Sequence, residues 1–375
     1  MKKTLLDTAR LLVGILFIFS GLIKANDPLG LAYKMDEYFN VWHMDWASAY
    51  SLVLSITMNV FEIVAGVALL LGYQAKLITW LLLLLIIFFT FLTGYAVLSG
   101  KIKTCGCFGD CIPLQAYQSF IKDLILLALI VFLFIKRDFI RPILSKQVSI
   151  FIILFCTGFV AFGQLNVLKV LPYVDCLPYA KGKNLLQEMQ PPPGSVPDSS
   201  VTMFRYTKNG TEVKFDANNF PADFNDSLYH YAGRETVVVR QGTPPKIQDL
   251  AFYASSGTDT TKEILSYAGN YLLFFVKDFD GMKPAWLDQF SAIYLSARNH
   301  RVPLYLVSNQ PVKTGNWFNQ TNHFNIPVLT CDGTVMKTFL RSKTGVVAMK
   351  GATVINKWPG SKLEDVLPYL EEDLK

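Results

Sequence analysis

The stretch from Leu77 to Leu98 reads LITWLLLLLIIFFTFLTGYAVL, 22 residues without a charged side chain. A helix rises about 1.5 Å per residue, so roughly 20 apolar residues cross the hydrocarbon core of a bilayer. This run therefore reads as a transmembrane helix. Working outward from it, four further runs are predominantly apolar: Leu5–Ile23, Ala47–Gly72, Phe120–Ile135 and Val148–Val170. Phe120–Ile135 is the shortest, and it can be extended back towards Pro113, because proline suits the first turn of a helix. Leu5–Ile23 follows Met1-Lys2-Lys3, as a signal peptide would. It ends Ile23-Lys24-Ala25-Asn26, with no small-x-small cleavage site, so a retained helix is expected.

Charge gives the expected orientation. Up to Leu171 there are 14 Lys+Arg against 9 Asp+Glu, and afterwards 21 against 20. The net charge of +6 thus comes from residues flanking the apolar runs and is no argument for nucleic-acid binding. Lys2, Lys3 and Arg10 mark the amino end, and Lys136, Arg137, Arg141 and Lys146 the fourth connection. With five spans these fall on one side, expected to be cytoplasmic. The third connection and everything after Val170 then face outward, although Lys101 and Lys103 run against the rule. The expected location is the cytoplasmic (inner) membrane, with the lipid bilayer as first partner and a periplasmic carboxyl-terminal part.

After Pro172 the chain reads as ordinary mixed globular sequence. Gln190-Pro191-Pro192-Pro193-Gly194-Ser195 reads as a linker. Val201–Tyr206 and Thr211–Phe215 alternate in strand fashion around Lys208-Asn209-Gly210, a hairpin signature. A strand is expected over Thr236–Arg240. Tyr271–Val276 reads as a buried strand, Pro284–Asn299 as an amphipathic helix and Val302–Val307 as a second strand. Val346–Met349 with Thr353–Lys357 reads as a hairpin, and Leu363–Leu374 as a final helix. This order is α/β.

Three of the six cysteines lie in Lys101-Ile102-Lys103-Thr104-Cys105-Gly106-Cys107-Phe108-Gly109-Asp110-Cys111-Ile112-Pro113. A disulfide across one residue closes a small strained ring, for which Gly106 supplies conformational freedom, and strained disulfides are readily reduced. Cys111, just before a helix expected near Pro113, would have a lowered pKa from the helix's positive end, with Lys101 and Lys103 adding to it. These features suit thiol–disulfide exchange. Two other readings stay open: a structural staple with one thiol left over, and a thiolate site for Cu(I) or zinc. No histidine lies close, since His43, His230, His300 and His323 are distant in sequence. Cys176, a few residues past the fifth run, falls at a similar depth and is a candidate resolving or shuttle thiol. Cys156 inside that run reads as apolar packing.

Of the charges inside the apolar runs, Arg10 and Glu62 bear on each other. Counted from the cytoplasmic ends of their helices, Arg10 and Glu62 fall within about 6 Å of each other in depth. Buried membrane charges usually pair, so an Arg10–Glu62 pair is expected. The other reading makes Glu62 a proton relay or a contact for a quinone. No cofactor is required by the sequence.

Three stretches resemble the DoxX-like superfamily, and within it the MauE (methylamine utilisation) branch. They are Arg10 to Lys24 followed by Asp27-Pro28, then Glu62 to Gly72, and Cys105-Gly106-Cys107-Phe108-Gly109. The resemblance implies a membrane all-α bundle of four helices over residues 1–137, to which a fifth helix at 147–171 is added as a tether. It also implies an association with maturation of a disulfide-rich periplasmic enzyme or, in other relatives, a place as a quinol-oxidase subunit. From Pro244-Pro245-Lys246-Ile247 onward the chain resembles the thioredoxin-like fold of the TlpA and peroxiredoxin type. This implies an α/β domain over 236–375, with a linker and hairpin region at 172–235. Where that family carries CxxC, after the Tyr271–Val276 strand, this chain has Lys277 to Trp286 and no cysteine. The family's cis-proline also has no counterpart in Ser342-Lys343-Thr344-Gly345-Val346. Membrane helices with surface cysteines beside a thioredoxin-like domain are similar in layout to vitamin K epoxide reductase.

Thiol–disulfide exchange with exported client proteins is the expected function. Cys105 and Cys107 would be the exchanging pair, Cys111 the activated or resolving thiol and Cys176 the shuttle. The alternatives are a non-catalytic assembly or scaffold factor with a docking domain, and a subunit of a quinone-linked complex.

Overall fold

The computed structural model describes residues 2–372 apart from 101, 103–105, 196–198, 241, 243, 278 and 280–283. Among the described residues, five helices are long and apolar enough to cross a membrane: α1 (Lys2–Asn26), α3 (Ser51–Leu71, preceded by a short 3-10 segment), α4 (Ala75–Ser99), α5 (Ala116–Ile135) and α6 (Lys146–Val170). The protein is a multi-pass membrane protein. The short amphipathic α2 (Pro28–Val41) lies between the first two spans, in a connection where no helix is expected from the sequence. Its start is nonetheless encoded: the Asp27 carboxylate accepts from Gly30 N at 3.0 Å and Pro28 opens the first turn.

Glycines bring α1 and α3 together. A Cβ on Gly66 would come within 2.8 Å of the Gly14 carbonyl, and one on Gly21 within 2.5 Å of the Ile63 side chain. Small residues let membrane helices approach closely, which matters where water supplies no hydrophobic drive between them. α6 docks on α3 through buried amides. Asn59 Nδ2 donates to Gln164 Oε1 at 2.9 Å, and Gln164 Nε2 donates to the Ile56 carbonyl at 3.3 Å. The rest of α6 presents Phe151, Leu154, Phe155, Phe159, Phe162 and Leu165 outward.

Arg10 does not pair with Glu62. Its guanidinium donates to the carbonyls of Leu69 (2.8 Å), Leu70 (2.6 Å) and Arg141 (3.3 Å), closing the carboxyl end of α3. Gly72 ends that helix at φ 67°. Orphan carbonyls at a helix end are a natural partner for a buried cation. Because α1 and α3 run antiparallel with Gly14 against Leu70 and Gly21 against Ile63, Glu62 faces the Ser20–Lys24 turn. That is ten residues, or about 15 Å, from Arg10. Depths counted from two separate helix ends missed this offset.

Beyond α6 the chain builds an α/β thioredoxin-like part around a six-stranded sheet in the order β4-β7-β6-β5-β8-β9. The strands are β4 (Tyr253–Ala254), β5 (Asn270–Val276), β6 (Leu304–Ser308), β7 (Val328–Thr330), β8 (Thr344–Lys350) and β9 (Thr353–Pro359). β5, β6 and β7 are parallel, β8 pairs antiparallel with β5, and β9 pairs antiparallel with β8. β5 is apolar throughout because both faces are covered. Leu272 and Phe274 meet Phe290 and Ile293 of α9 (Leu287–Asn299) and Val366 and Leu370 of α12 (Val366–Glu372). Leu273 and Phe275 meet Leu265 of α8 (Thr261–Leu265) and Met336 and Phe339 of α11 (Gly333–Phe339). The short α10 (Pro311–Gly315) follows β6.

Residues 177–189, expected within a connecting region, belong to this core. Leu185 N donates to Ala352 O, Gly182 N to Val354 O and Val354 N to Lys183 O, which lays the segment along β9. The fully buried Leu185 and the ring of Tyr179, 4.4 Å from that of Phe339, join the apolar cluster, and α7 (Leu185–Glu188) follows. A separate three-stranded sheet, β2-β1-β3, is formed by β1 (Ser199–Lys208), β2 (Thr211–Asp216) and β3 (Tyr229–Arg240). Its hairpin turns on Asn209 (φ 51°) and Gly210 (φ 79°), the positive pair that a two-residue turn requires.

Candidate functional site

The cysteine loop and the thioredoxin-like part meet at the same end of the bundle. Cys111 and Cys176 are joined by a disulfide, with Cα atoms 4.8 Å apart across a sequence separation of 65. Cys111 is half-buried and Cys176 exposed. The helix after the loop begins at Ala116 rather than near Pro113, with Gln115 and Gln118 forming a capping box. Cys111 therefore stands before an extended segment, away from the helix's first turn, and as a disulfide sulfur it does not titrate. Cys107 lies in a turn closed by Gly109 N donating to Gly106 O at 2.9 Å. Cys105, Lys101 and Lys103 lie outside the described residues, so the expected Cys105–Cys107 ring falls outside them too. Cys156 carries a free thiol within α6. Cys331 carries another in the thioredoxin-like core, where burial pushes the thiol up to about 12.

Each disulfide cysteine follows an aspartate, and each aspartate meets a buried cation of the thioredoxin-like part. Asp110 pairs with Arg341 Nη2, and Asp175 with Lys357 Nζ at 2.7 Å. Arg341 Nε also donates to Asp27 Oδ2 at 2.8 Å, and Nη1 to the Lys337 carbonyl at 2.7 Å. Its guanidinium lies 5.3 Å from the Tyr33 ring centre on α2. Arg341 therefore ties together the start of α2, the cysteine loop and the segment before β8. Burial raises Asp27 above the ordinary carboxylate range even though Arg341 opposes the shift. Burial lowers Lys357, partly offset by Asp175. For Arg341, burial is outweighed by Asp27 and Asp110, and the net direction is up.

Beneath Cys107 the bundle holds a small cavity of about 30 Å³, room for a water or two. Ser20, Lys24, Glu62, Phe89, Phe108 and Lys122 line it with Cys107. Lys24 and Glu62 form an ion pair with both side chains 2% exposed. Ser20 Oγ lies 3.1 Å from Glu62 Oε2 and 3.0 Å from the Cys107 carbonyl. Asp123, also buried, pairs with Lys122 Nζ at 2.6 Å and accepts from Thr93 Oγ1 at 3.1 Å. Lys122 Nζ in turn lies 5.1 Å from the Phe108 ring centre. Polar chemistry thus reaches from the cysteine loop into the bundle.

Cys107 and Cys111 share the loop, Cys176 joins Cys111, and Glu62 reaches the loop through Ser20. Arg10 belongs to the opposite end of the bundle. Sequence reasoning missed Lys24, Asp27, Asp110, Asp175, Arg341 and Lys357. One signal was available: the dipeptide Asp-Cys occurs twice, at Asp110-Cys111 and Asp175-Cys176. The stretch after β5 contains no cysteine in sequence; of it, Lys277 donates to the Leu340 carbonyl at 2.7 Å, while residues 278 and 280–283 lie outside the described set. Among the described residues, no group of three or more His, Cys, Asp or Glu side chains could hold a metal ion.

Residues 2–136 match the family described as Methylamine utilisation protein MauE. Residues 200–241, the three-stranded sheet, match a Domain of unknown function (DUF8463). Over 135 residues the chain is 30% identical to Protein TlpB of Flavobacterium psychrophilum, a match covering 34% of this chain and 35% of that protein. The match thus spans about a third of the relative's length. No solved structure matches the chain.

Proposed function

We propose, taking a MauE-type membrane domain followed by a thioredoxin-like part as the premise, that this protein exchanges disulfides with exported proteins. The exchange would take place at the outer face of the cytoplasmic membrane. The observation that carries this reading is the Cys111–Cys176 disulfide, lying at the junction of the two parts with Cys176 exposed. The basic residues Lys136, Arg137, Arg141 and Lys146 at the other end of the bundle support an outward cysteine loop.

The chemistry balances as ordinary exchange. A client thiolate attacks the exposed Cys176 sulfur, the Cys111–Cys176 bond breaks, and Cys111 leaves as a thiolate. The client's second thiolate attacks its own sulfur in the mixed disulfide and releases Cys176. The client departs oxidised, and two electrons remain on the Cys111–Cys176 dithiol. Return to the disulfide passes those electrons to a two-electron acceptor, for which a membrane quinone is the chemical class, by way of Cys105 and Cys107. The stretch directly after β5, Lys277 to Trp286, has no cysteine and Cys331 is buried in the core, so the role of the thioredoxin-like part is to hold the loop and the client.

A second reading, an assembly or scaffold factor, is favoured by the ion pairs that fasten the two parts together. Alkylating free thiols in intact cells separates the two. Exchange predicts mixed disulfides between Cys176 and exported proteins in Cys111→Ser, and a changed oxidation state of those proteins in Cys107→Ser. If the Cys111–Cys176 bond is permanently closed and both variants alter only this protein's own stability, the scaffold reading stands.

A further inference from the structure

We propose that Arg341 and Lys357 are positioning residues that set the reactivity of the Cys111–Cys176 disulfide, a role that rests on the exchange reading above. The thioredoxin-like part would supply charge to a disulfide carried by other segments of the chain.

The argument begins with the leaving group. When a nucleophile takes the exposed Cys176 sulfur, its negative charge moves to Cys111 Sγ as the S–S bond breaks. That thiolate forms one residue from the Asp110 carboxylate. Attack in the other sense places it beside Asp175. A like charge alongside disfavours the thiolate and slows its departure. Here both carboxylates are already occupied, Asp110 by Arg341 and Asp175 by Lys357. The two cationic side chains are 6% and 7% exposed, so water screens them little. Among the described residues, Asp27 and the Tyr33 ring also face Arg341, Lys337 accepts from it through its carbonyl, and Lys357 adds a like charge. Asp27 competes for the guanidinium, and burial raises its pKa. The balance at the junction is therefore close, and losing one cation leaves an uncompensated carboxylate beside a sulfur that must ionise.

The test uses the full-length purified protein in nanodiscs, with glutathione as nucleophile, so that it needs no client. The reduction rate of Cys111–Cys176 and the pH dependence of alkylation of the reduced cysteines are read by mass spectrometry. Arg341→Gln slows reduction roughly 3- to 10-fold, the consequence of a rise of one to two units in the leaving thiol's pKa at the usual sensitivity of exchange. It also moves the alkylation midpoint of Cys111 to higher pH. Lys357→Gln moves that of Cys176. Arg341→Lys retains most of the rate. In the Asp110→Asn background, Arg341→Gln has little further effect. An unchanged rate and midpoint in Arg341→Gln overturns the proposal. So does an equal loss in Arg341→Lys, or a loss that Asp110→Asn leaves intact, since either marks a purely structural role. A wild-type disulfide that glutathione never opens overturns it as well. The exchange function itself fails separately, through the absence of client mixed disulfides in cells.

Discussion

Lys24 sits on Glu62 inside the bundle, and Ser20 bridges Glu62 to the Cys107 carbonyl. Two opposite charges removed from water hold each other in place, and neither is tolerated alone.

Glu62→Gln or Lys24→Met by itself should therefore destabilise the protein more than both together. Breaking such a pair costs about 3–5 kcal/mol in a soluble core, whereas replacing the whole pair is often close to neutral. Thermal unfolding in detergent of the two single variants and the double variant measures the coupling. Additive losses would show that the two side chains act independently.

The docking of α6 rests on Asn59 and Gln164. Gln164→Ala should cost about 0.6–1.7 kcal/mol, the range for polar contacts between membrane helices. Asn59→Ala should then add little in the Gln164→Ala background. Cross-linking yield between cysteines placed on α3 and α6 reports the loosening.

Leu185 tests whether residues 177–189 are structural. It is fully buried among Val354, Ala352 and Tyr179. Leu185→Ala should destabilise the thioredoxin-like part by about 2–5 kcal/mol. Denaturant unfolding of the full chain, followed by protease sensitivity of the β5–β9 region, gives the value. A change within 0.5 kcal/mol, about what surface positions give, would falsify the assignment.

Cys331 predicts an alkaline sensitivity. Its thiol ionises near its ordinary value of 9.0 in the unfolded chain and at about 12 when folded, because burial disfavours the thiolate. Above pH 9 the unfolded chain binds fewer protons than the folded one, so stability falls as pH rises. The contribution is present in full below pH 9 and is lost at up to about 1.4 kcal/mol per pH unit towards pH 12. Tyr179 and Tyr271, also raised by burial, act in the same sense. Cys331→Ala should flatten the slope relative to wild type in denaturant titrations between pH 9 and 11, while near neutral pH the native Cys331 thiol resists alkylation.

Much of the architecture was legible because burial leaves composition behind. The five spans stand out by length and apolarity, and β5 by a run apolar on both faces. The β8–β9 hairpin and the β1–β2 turn follow local chemistry as well. What sequence could not supply was depth and partnership. Arg10 and Glu62 were matched by distance from separate helix ends, whereas the antiparallel crossing of α1 and α3 puts Lys24 opposite Glu62. The strands β4 and β7 are too short to show a period. Residues 177–189 enter the core through backbone hydrogen bonds, which leave no apolar pattern. The joining of Cys111 to Cys176 was equally hidden, since cysteine spacing does not determine connectivity.

That bond has a topological consequence. Residues 111–176 contain α5 and α6, whose connection lies at the far end of the bundle, so the disulfide ties this helical hairpin across its open mouth. A span held so lightly as α6 could otherwise wander sideways in the lipid, carrying everything behind it along. Closed into a covalent ring, it is leashed to its neighbour at both ends. A cut anywhere in the α5–α6 connection would then leave the two fragments joined on a gel until a reductant is added.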